Sequence, residues 1–269
     1  MCRVRRHRDV APVAGTHLFY EMVGTGPPLV LIHGFALDTR MWDGQMGALA
    51  TRHQVIRYDM RGFGRSALPE EASYTAAGDL KALLEYLGVE TAAILGLSLG
   101  GGVAADFALT YPDAMRALVL VDANVGGWEW SSGWNERVGA VWSAGKELGI
   151  EAAKERWLAL PLFLPALKQP NLARRLTRMV SDYSGWHWLH DDPQQHLNPP
   201  AIQRLGSITA PTLIILGEQD EPDFHAIAVA FQRGIPHAEI VTIPGAGHMA
   251  NMEAVERFND IVLRFLDEH

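Results

Sequence analysis

Apolar and polar positions follow two rhythms along this chain. Short, nearly continuous apolar runs at Leu29–Ile32, Val55–Tyr58, Ala92–Leu95, Ala117–Val121, Thr212–Leu216 and Glu239–Ile243 each give way to Gly, Asp or Pro. Runs of that length without alternation predict strands buried on both faces, as in a parallel sheet covered by helices. Between them, Ala76–Leu87, Leu99–Thr110 and Ala254–Leu266 carry helical periodicity. His17–Val23 predicts an antiparallel edge strand ahead of the turn at Gly24–Pro28. Strand and helix in alternation place the chain in the α/β class.

The alternation stops between Asn124 and Leu205. Pro161, Pro165, Pro170, Pro193, Pro199 and Pro200 punctuate that stretch, which also holds Trp128, Trp130, Trp134, Trp142, Trp157, Trp186 and Trp188. The strand pattern resumes at Ala210-Pro211-Thr212. Residues 124–205 therefore read as a helical insertion, and residues 1–123 and 206–269 as the core it interrupts.

Composition narrows the classes. With 48% hydrophobic and 20% charged residues, the chain is of globular type. A formal net charge of −8 argues against nucleic-acid binding, which needs a basic face. The basic cluster Arg3, Arg5, Arg6, His7, Arg8 reads as a solvated, frayed tail. Cys2 is alone, so no internal disulfide forms. No leader-like apolar segment and no membrane-length run appear, and the expectation is a soluble cytoplasmic protein.

The chemistry begins at Gly96-Leu97-Ser98-Leu99-Gly100. Here an apolar strand enters G-x-S-x-G and a helix-competent run leaves it, which forces a sharp turn with Ser98 at its apex. The helix N-terminus favours negative charge developing there. Leu29–Ile32 ends in His33-Gly34-Phe35. The backbone N–H groups of Phe35 and Leu99 are the expected oxyanion donors, each worth about 3 kcal/mol in such sites. His33 reads as loop packing.

A serine nucleophile needs a base. Of eleven histidines, His248 stands out in Pro244-Gly245-Ala246-Gly247-His248-Met249, a flexible loop that can swing over Ser98. His187, His190 and His196 lie close together in sequence, but no ligand spacing supports a metal there. The base needs a carboxylate to fix its tautomer. Asp220 follows the strand Thr212–Leu216 and is preferred. Asp122 is the rival, and Glu218 sits too close to its strand to reach the loop. No phosphate loop or dinucleotide fingerprint occurs, so neither cofactor nor metal is expected.

Together with Tyr58–Ser66, these motifs resemble the α/β-hydrolase family over nearly the whole chain. The resemblance implies an eight-stranded sheet with a helical cap after the sixth strand, and a structural turn at Arg61–Ser66. It is strongest to a branch of small esterases, enol-lactone hydrolases, cofactor-free haloperoxidases and C–C bond hydrolases. Serine at position 98, where haloalkane dehalogenases and epoxide hydrolases carry aspartate, removes alkyl-enzyme chemistry. The expected substrate is a small apolar ester or lactone, with Trp128, Trp130, Trp134, Trp186 and Trp188 as pocket residues. Hydrolysis of a C–C bond in a vinylogous diketone, and a ligand receptor built on a hydrolase, are the alternatives. Oligomeric state is left open.

Overall fold

The computed structural model describes residues 6–269. Eight strands form one sheet in the order β1-β2-β4-β3-β5-β6-β7-β8. In chain order they are β1 (His7–Val13), β2 (Thr16–Val23), β3 (Pro28–Ile32), β4 (Gln54–Tyr58), β5 (Ala92–Leu97), β6 (Met115–Val121), β7 (Thr212–Gly217) and β8 (Glu239–Ile243). β1 pairs antiparallel with β2, and β2 with β4; every other pairing is parallel. β5 and β7 are buried along their whole length, as the unalternating apolar runs require. β3 and β5 are neighbours, and the connection leaving β3 runs to β4 on one side while that leaving β5 runs to β6 on the other. Such a switch point opens a crevice beyond the carboxyl ends of the strands.

The helices are α1 (Asp43–Leu49), α2 (Ala76–Tyr86), α3 (Leu99–Thr110), α4 (Ser132–Leu148), α5 (Ile150–Leu158), α6 (Leu164–Leu167), α7 (Pro170–Asp182), α8 (Trp186–Leu189), α9 (Pro222–Gly234), α10 (Ala250–Glu253) and α11 (Val255–Glu268). α1 packs with α11 and α2 with α3, while α9 lies against β7. α4 through α8 all fall between β6 and β7. Among the described residues, no helix is long and apolar enough to cross a membrane.

The amino-terminal reading needs correction. Cys2, Arg3 and Arg5 lie outside the described residues, but His7 begins β1 and pairs in register with Met22. Arg6 Nη2 donates to Glu21 Oε2 at 2.9 Å, and Arg8 pairs with the same carboxylate. Glu21 is buried and is also held by the buried Arg57, which reaches Asp43 and the Thr39 carbonyl as well. A buried carboxylate needs such partners, and here they recruit the basic segment into the sheet edge.

Candidate active site

Ser98 sits between β5 and α3 with φ +55° and ψ −117°, a backbone conformation that serine adopts only under constraint. Both sides of it are tied. Its N–H donates to the Val121 carbonyl at 3.0 Å, and its own carbonyl accepts from Gly101, Gly102 and Asn124 at 2.9, 3.2 and 3.1 Å. The flanking glycines are obligatory. A Cβ on Gly96 would fall 2.0 Å from the Gly100 carbonyl oxygen, and one on Gly100 would fall 2.4 Å from that of Ile32.

The turn after β3 comes against this apex. A Cβ added to Gly34 would lie 3.6 Å from Ser98 Cβ. His33 is fully buried and bridges the turn, with Nδ1 2.8 Å from the Gly34 carbonyl and Nε2 accepting from Met60 N–H at 2.9 Å. Both partners fix the neutral tautomer, and burial lowers its pKa despite the nearby Asp59 carboxylate. The residue therefore holds the loop and carries no mobile proton.

His248 and Asp220 meet at the same end of the sheet. His248 Nδ1 lies 2.8 Å from Asp220 Oδ2, and both residues are buried. A carboxylate only accepts, so Nδ1 carries the hydrogen and Nε2 is left as the basic nitrogen. Asp220 Oδ1 accepts from Glu221 N–H at 2.7 Å. Asp122 completes this cluster: one oxygen or nitrogen from each of the three residues lies within 4.8 Å of the others. The 2.8 Å contact is a direct hydrogen bond, shorter than two metal–ligand bonds of about 2.0 Å each would leave around an ion in tetrahedral geometry.

The histidine loop is tied, contrary to the swinging segment its glycines suggest. The Gly247 and Met249 N–H groups donate to the two oxygens of Glu253 at 2.9 and 3.1 Å, one on each side of His248. Glu218 does reach this loop, at the Gly245 N–H and 2.8 Å, though not at the imidazole. Phe224, at the start of α9, packs its ring 4.3 Å from that of His248. Neither Glu253 nor Phe224 belongs to a recognisable motif, and only the folded chain brings them here.

Ser98 and His248 open into one cavity of about 160 Å³, walled by Phe35, Leu97, Trp130, Trp134, Val138, Trp142, Trp157, Phe163, Phe224 and Met249. The tryptophan assignment changes accordingly. Trp130 and Trp134 line this space, but Trp128, Trp186 and Trp188 do not. Trp188 is fully buried against Trp142, Trp157 and Tyr183, Trp186 stacks on His190, and Trp128 faces a neighbouring cavity. Trp142 and Trp157 were not expected. Residues 134, 138 and 142 recur every fourth position on α4, a stripe that could have singled out this face. His187 stacks on Phe63 and contacts Tyr183 Oη through Nδ1 at 2.6 Å, and burial lowers its pKa to about 4.

A larger cleft of about 690 Å³ holds neither Ser98 nor His248; its arginines largely face its own carboxylates, with Arg57 on Glu21 and Arg40 on Asp38. A family model described as the alpha/beta hydrolase fold matches residues 27–255. The chain belongs to this family. RutD of Azorhizobium caulinodans, provisionally named a carbamate hydrolase, is 29% identical over 93% of this chain and 95% of its own. A thermophilic esterase from Thermogutta terrifontis superposes with a TM-score of 0.78 at 26% identity, covering 97% of this chain and 98% of that one. The meta-cleavage product hydrolase CumD from Pseudomonas fluorescens IP01 gives 0.76 at 25% identity, covering 97% of each.

Proposed function

We propose that this α/β hydrolase cleaves small apolar carboxylic esters or lactones through an acyl-enzyme on Ser98. The observation that carries this is the buried Asp220–His248 hydrogen bond opening onto the apolar cavity that also holds Ser98. His248 Nε2 takes the Ser98 proton as Oγ attacks the carbonyl carbon, and Asp220 stabilises the imidazolium. The N–H groups of Phe35 and Leu99 receive the oxyanion. The carbonyl–oxygen bond then breaks, and His248 returns the proton to the departing alcohol. A water, deprotonated in the same way, releases the acid and restores Ser98. In this reading residues 124–205 act as the cap over the site, the rest of the chain as the core, and the protein works in the cytoplasm on a diffusible substrate. C–C bond cleavage of a ring-fission dienoate fits less well, because no Arg or Lys among the lining residues awaits its carboxylate.

Replacing Ser98 by alanine tests the assignment. Turnover of a short acyl p-nitrophenyl ester falls by about 10⁵–10⁶, with circular dichroism unchanged. Intact-mass spectrometry shows an acyl adduct on the parent protein and none on the variant. Retention of more than about a tenth of parental activity removes Ser98 as nucleophile.

A further inference from the structure

A second cavity, of about 380 Å³, adjoins the first between α3 and the chain returning toward β7. Leu99, Asn124 and Trp130 line both, so the two meet at the residue directly after Ser98. The Ser98 cavity is smaller than the roughly 300–1,000 Å³ of ordinary small-molecule sites, and the pair together fall within that range. A substrate whose acyl group fills the first therefore has room for its leaving group in the second.

The second cavity has a different chemistry. Asp106, on α3, lines it, and Asp106 Oδ1 is shielded from solvent with no hydrogen-bond partner among the described residues. Burial pushes this carboxyl up to about 6, against the pull of His196 and Arg204, so it is ionised at neutral pH. Arg204 directs Nη2 to the Leu109 carbonyl, and His196 lies exposed at the cavity wall. Trp128 and Trp130 add indole surface. A carboxylate whose Oδ1 has no hydrogen-bond partner among the described residues, in a cavity that indole rings also line, suits an organic ammonium, which gains an ion pair and cation–π contact while relieving a poorly solvated anion. An anionic group is repelled, and a neutral alcohol offers one hydrogen bond. The net charge of −8 also draws cations toward the molecule.

We propose that this second cavity is a leaving-group subsite for an organic ammonium, with Asp106 as its counter-ion; the inference rests on Ser98 acting as nucleophile as set out above. The test compares two acetate esters of equal shape, one of choline and one of 3,3-dimethylbutanol. The parent enzyme favours the choline ester by about tenfold or more in kcat/KM, and Asp106→Asn brings the ratio close to one. Independently of turnover, choline quenches tryptophan fluorescence saturably in the parent, and Asp106→Asn weakens this binding by about tenfold. Should that variant not fold, Asp106→Ser removes the carboxylate and is expected to give the same readouts, and tetramethylammonium should compete with choline in the parent. A parental ratio near one with Ser98-dependent hydrolysis overturns the subsite and leaves the esterase reading standing. Hydrolysis that survives Ser98→Ala overturns the esterase reading itself, while the fluorescence titration still decides the ammonium site. An unchanged ratio and unchanged choline binding in Asp106→Asn show that the carboxylate receives no ligand.

Discussion

Asp122 and Asp220 end neighbouring parallel strands, and their carboxyl groups meet in a space sealed from water. Asp122 Oδ1 accepts from Gly217 N–H at 2.7 Å, whereas Oδ2 has no partner among the described residues. Burial, and then the charge of Asp220, push the Asp122 carboxyl well above the usual range. Two adjacent buried carboxylates do not both ionise. Asp220 has the stronger claim to the charge, since imidazole Nδ1–H and Glu221 N–H both donate to it. Asp122 therefore holds a proton, which it can share with Asp220. Asp220→Asn is expected to lower turnover by about 10⁴, because an amide can stabilise the wrong imidazole tautomer. Asp122→Asn keeps a neutral donor where the protonated acid stood, and its expected loss is less than about tenfold. Steady-state kinetics on both variants, with circular dichroism for folding, checks the order; the reverse order transfers the acid role to Asp122.

On the scale of elements, the strands β3 to β7 were legible because both-face burial writes itself as largely apolar sequence. β8 lies at the sheet edge with only Ile243 buried, so its apolar Ile and Val do not mean burial on both faces. The serine turn was legible because Gly96 and Gly100 are forced by contacts under 3 Å. β1 was not. Only Ala11 and Val13 of its seven residues are buried, and its place depends on Glu21, a partner set by tertiary structure. Composition could not sort the tryptophans either, since only the tertiary packing of two helices puts Trp142 of α4 in the cavity and Trp188 of α8 in the packing behind it. Trp134→Ala and Trp142→Ala should each shift the preference between short and bulky acyl groups by roughly tenfold, with Trp186→Ala neutral. An acyl-length series measured on the three variants decides whether α4 is the wall. The histidine loop gives a second test. Glu253→Gln removes the paired carboxylate contacts flanking His248, and kcat should fall about ten- to hundredfold while KM changes less than about threefold. An unchanged kcat would mean that Glu253 does not hold His248 in place.

For the whole molecule, buried charge decides how stability responds to pH, and the groups act in opposite directions. Glu21 lies below its ordinary range although burial opposes this, because Arg6 and Arg57 bond to it. Its contribution is present above the unfolded value and is lost on acidification. Asp106 runs the other way, its carboxyl raised from an ordinary 3.8 to about 6 by burial. Below 3.8 the group is protonated in folded and unfolded chains alike and costs nothing. As pH rises the unfolded chain ionises ahead of the folded one, and the stability lost is complete above about 6. Asp106→Asn removes this loss. The variant's gain in Tm over the parent should be smallest near pH 4, grow with pH, and reach a plateau above about 6. Thermal unfolding followed by circular dichroism between pH 4 and 8 tests it directly. A gain independent of pH would assign the effect to packing, and a variant less stable at pH 8 would mean that Asp106 already has a partner in the folded protein. A rising gain would join the two roles of one residue: a carboxylate that destabilises the empty protein is the one best placed to bind a cation.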